Sequence, residues 1–128
     1  RIALGAVALI AVLDVVAWKA HDVVYPPPTR LEQTVRCLKG ELGVEAIVPA
    51  GDPVSSTAGD GSFRATVQGN GLIVALASTV EEASEIEWNY HQVGGELTGR
   101  LERSDRTVYL WESPSLESQR RAISECRY

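Results

Sequence analysis

The stretch from Ile2 to Trp18, "IALGAVALIAVLDVVAW", carries a single polar side chain, Asp14. A run this apolar must leave water, and as a helix rising 1.5 Å per residue its roughly 17 positions extend about 26 Å, the short end of a membrane span. The chain therefore reads as an anchor helix over residues 1–25, a proline spacer over 26–28, and a domain over 29–128. Trp18 marks the interface, Lys19, His21 and Asp22 resume polarity, and Tyr25 is a second interfacial aromatic. The small residues of "VVA", Val15 to Ala17, would also suit a signal-peptide cleavage site. The expectation is an uncleaved anchor.

Asp14 is the informative residue of that anchor. At 100° per residue, Ala3, Val7, Ile10, Ala11, Ala17 and Trp18 fall within about 60° of it. Small residues beside a polar one let another helix approach closely, and a charged group facing lipid costs roughly 2.5–3.5 kcal/mol at mid-bilayer. Asp14, Ala11, Ala17 and Trp18 are thus expected to meet a second transmembrane helix, from a partner protein or another copy. The competing reading is that Asp14, one turn before Trp18, reaches the headgroups or is protonated.

Over the whole chain, 45% hydrophobic and 23% charged residues describe a folded protein. The net charge of −5 argues against binding nucleic acid through its phosphates. Cys37 and Cys126 are the only cysteines, which in an oxidising compartment read as one disulfide. With Arg1 before the apolar run, they place the N-terminus in the cytoplasm and the domain outside the membrane.

"YPPPTR" cannot continue a helix, so Pro26 to Pro28 form a stiff stand-off. Thr29 and Glu32 make a capping box, and Leu31, Val35, Leu38 and Leu42 form the apolar stripe of a first helix, with Gly40 and Gly43 as stops. A strand over 44–48 precedes a loop over 49–62. "FRATV", "GNG" and "LIVALA" give a hairpin of an outer and a central strand. Ser78 with Glu81 caps a second helix to about Gln92, burying Ala83, Ile86, Tyr90 and Val93. A second hairpin, "ELTGRLER" and "RTVYLWE", turns at Ser104 and Asp105; a third helix, capped by Ser113 with Pro114 in its first turn, buries Leu116, Ile123 and Cys126. Two hairpin-plus-helix units predict an α+β fold, a four-stranded antiparallel sheet with helices on one face, ferredoxin-like in outline, closed by one disulfide.

Chemistry is sparsely signalled. Glu87 and His91 have the i, i+4 spacing of a ligand pair but no third ligand, and "GDGS" lacks the ending of a phosphate loop and the acidic alternation of a calcium loop. No nucleophile elbow is present. No catalytic residue, metal or cofactor is therefore expected. Glu81 to Glu87 make the second helix acidic, while Arg120, Arg121 and Arg127 make the third basic, which suggests complementarity with a neighbour or another copy.

The leading expectation is a non-enzymatic interaction or accessory subunit of a larger membrane assembly, with lipid and another transmembrane helix as partners. A hydrophobic first helix followed by an α/β head with a disulfide ending near the C-terminus also resembles the layout of type IV pilins, which implies a homo-oligomeric filament subunit. The family's glutamate at the fifth mature position is Gly5 here, and the three prolines interrupt what would be one long helix. A third reading, an extracytoplasmic enzyme or small-ligand binder, would need a pocket at Trp88, Tyr90 and His91 or at Trp111.

Overall fold

The computed structural model describes residues 26–128 of the 128-residue chain. The expected anchor over residues 1–25, with Ala11, Asp14, Ala17 and Trp18, lies outside the described residues. Among those described, no helix is long and apolar enough to cross a membrane.

Helix α1, Arg30–Glu41, starts where Thr29 accepts the Glu32 N–H at 3.2 Å. It ends at Leu42, and Gly43, at φ +63°, turns the chain so that the Val44 N–H donates back to Leu38 O at 2.9 Å. Strand β1, Ala46–Ile47, is shorter than the five residues expected. It pairs with β2, Ser62–Val67, which pairs with β3, Asn70–Leu76, through a two-residue turn at Gln68 and Gly69. Both turn residues have positive φ, as the tight hairpin turn of this hand requires. Helix α2, Val80–Val93, leads to β4, Leu101–Ser104, and β5, Thr107–Trp111, and helix α3, Glu117–Ser124, follows. The sheet has five antiparallel strands in the order β1-β2-β3-β5-β4.

The described residues form a mixed fold of three α-helices, an antiparallel sheet and one disulfide, as expected, but the helices do not share a face. Phe63, Ala65, Val67, Leu72, Val74, Leu76, Tyr109 and Trp111 point to the side covered by Leu38 of α1 and Ile123 of α3. Ala75, Ala77 and Val108 point the opposite way, onto Ala83, Ile86 and Tyr90 of α2. The reason lies in the central strands. "LIVALA" and "TVYLW" are apolar at successive positions, and successive side chains leave opposite faces, so both faces need cover.

Two helix starts shift for a definable reason. Thr79, not Ser78, caps α2 by accepting the Glu82 N–H at 3.1 Å, while Ser78 hydrogen-bonds the Glu82 carboxylate through both its N–H and its hydroxyl. Helix α3 does not start at Ser113 and Pro114, because Asn70 holds the Ser113 peptide in both directions, at 2.9 and 3.0 Å. The helix begins after Leu116, whose N–H donates to Gln119 Oε1 at 2.9 Å. Leu116 and Val93, expected inside, are 61% and 71% exposed.

At the other end of the sheet, Arg30 gathers four segments. Its guanidinium donates to Ala77 O at 2.8 Å, Thr107 Oγ1 at 2.6 Å and Tyr128 O at 2.8 Å, and pairs with Asp60 at 3.4 Å. Arg30 is thereby locked to the residue that follows β3, to β5 and to Tyr128.

Candidate interaction surface

The disulfide is the one sequence-predicted site inside the described residues. Cys37 of α1 and Cys126 beyond α3 are joined, with Cα atoms 5.7 Å apart. Both are buried against the same face of the sheet. The bond ties the first and last helices together, side by side on that face.

The opposite face is only partly covered. Register places Ile47, Arg64, Ile73, Leu110 and Leu101 in one row across all five strands. The neighbouring row, with Ala75 and Val108, lies under α2, which packs over β3, β5 and β4. Nothing among the described residues covers the β1, β2 and β3 side of the Ile73 row. There the sheet forms a groove of about 480 Å³, with Ile47, Ile73 and Leu110 as its apolar floor and Arg64, Arg100 and Glu112 among its walls. Gly71 deepens it, since a side chain at that position would run into Glu112.

Charge around the groove is unpaired. Arg64 spends its Nε on Ala50 O, and Arg100 donates to Trp111 O at 2.8 Å and Glu96 O at 2.7 Å. Neither has a carboxylate within 4 Å among the described residues, nor do Glu45 and Glu112 have a cation. Beside the groove, on the same side of the sheet, α2 turns Trp88 to solvent at 64% exposure, with Glu81 and Glu85 exposed on preceding turns.

The loop over 49–62 is packed rather than loose. Ser55, in a single 3₁₀ turn over Ser55–Thr57, is fully buried. Asp52 accepts from the Ser55 N–H at 3.0 Å, from the Ser55 hydroxyl, and from the Tyr90 hydroxyl at 2.8 Å. Burial works to raise the Asp52 carboxyl, but the Ser55 and Tyr90 donors outweigh it and hold the group below the usual carboxylate range. Burial, reinforced by that carboxylate, pushes the Tyr90 hydroxyl well above the ordinary tyrosine value. The cluster fastens the loop to α2.

This arrangement separates the residues that a ligand pocket would have combined. Tyr90 faces inward to Asp52 while Trp88 faces outward, and Trp111 is buried on the other side of the sheet, its Nε1 without a hydrogen-bond partner among the described residues. Glu87 pairs with Arg103 at 3.5 Å. Among the described residues no three His, Cys, Asp or Glu side chains converge as a metal site requires.

The groove escaped the sequence reading. "FRATV" shows that Arg64 and Thr66 face away from Phe63, yet only the register reveals that Ile73 and Leu110 lie beside Arg64. Compared with models of known families, with curated proteins and with solved structures, the chain matches none.

Proposed function

We propose that the chain is a single-pass membrane protein whose domain stands outside the membrane as a non-enzymatic interaction or accessory subunit of a larger assembly. The Cys37–Cys126 bond carries this reading: a buried disulfide joining the first and last helices of the domain persists in an oxidising compartment. The apolar run Ile2 to Trp18 supplies the anchor, with its N-terminus in the cytoplasm. Pro26 to Pro28, exposed, precede Thr29 and α1, and the Arg30 cluster fixes that entry point against the sheet.

In this reading Asp14, with Ala11, Ala17 and Trp18 on its side of the helix, meets another transmembrane helix. A partner donor would relieve the roughly 2.5–3.5 kcal/mol that a lipid-facing charge costs. Replacing Asp14→Leu is expected to weaken co-purification of the partner in mild detergent while leaving the disulfide-bonded domain folded. Unchanged co-purification would remove the intramembrane contact from the account.

A further inference from the structure

We infer that the open half of the sheet is covered by helix α2 of a second copy, giving a two-fold dimer in which each chain's α2 lies in the other's groove. This association does not depend on how the chain is anchored.

Shape is the first argument. One face of the sheet carries both a ridge and a groove: α2 lies over β3, β5 and β4, and the groove opens over β1, β2 and β3 and runs on to Leu110 of β5. Under a two-fold axis running along the strands between two facing sheets, the β4 side of one copy comes to lie opposite the β1 side of the other. Each ridge then meets a groove, as a self-complementary interface demands. The same axis leaves both Pro26 to Pro28 segments at one end, where two chains anchored in one membrane would need them.

Charge and chemistry give the second argument. The ridge is acidic, with Glu81 and Glu85 exposed and no basic side chain within 4 Å of either among the described residues. The groove offers Arg64 and Arg100, neither within 4 Å of a carboxylate among the described residues. Its floor of Ile47, Ile73 and Leu110 would receive Trp88, whose large exposed indole is the residue type that dominates binding energy at interface centres. An arginine against that ring adds a cation–π attraction. Glu45 and Glu112 at the far rim set the register, since they exclude the glutamate-bearing turns of α2 and admit the turn with His91.

The test uses the full chain in detergent micelles, with the oligomeric state followed by sedimentation at increasing protein-to-detergent ratio. Wild type is expected to dimerise reversibly, and Trp88→Ala, at an exposed position, to weaken the dimer about 30-fold or more. Glu85→Arg and Arg64→Glu are each expected to be monomeric alone and to form a mixed dimer when combined, because one then carries two basic surfaces and the other two acidic ones. Recovery on mixing also shows that both variants are folded. A monomeric wild type, a dimer indifferent to the charge reversals, or a dimer lost only with Asp14→Leu would each overturn the inference. So would a Trp88 that is shielded only when a different protein is added.

Discussion

Reducing the Cys37–Cys126 bond should cost the domain a large share of its stability. The cysteines are 89 positions apart, so the bond closes a loop holding most of the domain. On the chain-entropy model a loop of that length contributes about 4.6 kcal/mol at 25 °C, against a total of roughly 5–15 kcal/mol for an ordinary folded protein. With a urea slope of roughly 1.5–2 kcal/mol per molar, the unfolding midpoint should fall by about 2–3 M, and the thermal midpoint by roughly 20 °C or more. The assay is urea unfolding of the full chain in a nonionic detergent, oxidised and after reduction with alkylation, followed by tryptophan fluorescence. Trp111 is buried next to the same core that holds both cysteines. A midpoint shift below about 0.5 M would rule out loop closure as the source of this stability, because it would mean that the reduced chain keeps its ends together by other means. The Cys37→Ala/Cys126→Ala double variant should reproduce the reduced protein.

Arg30→Ala should destabilise the domain by about 2–4 kcal/mol in the same assay, since it strips a mostly buried guanidinium from Ala77 O, Thr107 and Asp60; Arg30→Lys should recover only part, a single ammonium being unable to span those acceptors. Asp52, held below its ordinary range, contributes stability that is present above the unfolded carboxyl value of about 3.9 and is lost as pH falls through the folded value, so Asp52→Asn should flatten that acid limb. Tyr90, raised, contributes stability that is full below about pH 10 and declines as pH rises toward its folded value, so one tyrosine should ionise late, with alkaline unfolding, in the phenolate absorbance, and Tyr90→Phe should remove that component.

The sequence patterns that depend on near neighbours were the ones that located structure. Thr29 before Glu32, the alternation of "FRATV" and the stripe of Ala83, Ile86 and Tyr90 each rest on contacts within a few residues, and each is found in the fold. The cysteine pair was legible because it was the only pair to be made. What local pattern could not supply was the allocation of helices to faces. A strand apolar on both sides states that two covers are needed without saying which helix provides each. The start of α3 shows the same limit, because Ser113 and Pro114 form a good local cap that Asn70, 43 residues earlier, overrides by binding the Ser113 peptide. The loop over 49–62 reads as solvent-exposed by composition, whereas Ser55 is fully buried and Asp52, half-buried, is held by the Ser55 and Tyr90 donors. The groove belongs to this class of feature, since Arg64, Ile73 and Leu110 come from three strands and adjoin only through sheet register.

The proposed topology is tested by protease digestion of the full chain in sealed membranes, read on gels run with and without reductant. Protease added on the extracytoplasmic side is expected to remove the domain beyond Pro28 and leave a membrane-bound fragment containing Asp14, with the undigested chain migrating as the oxidised, more compact form until reductant is added. A domain protected until the membrane is opened, or a chain that never enters the membrane fraction, would contradict that topology.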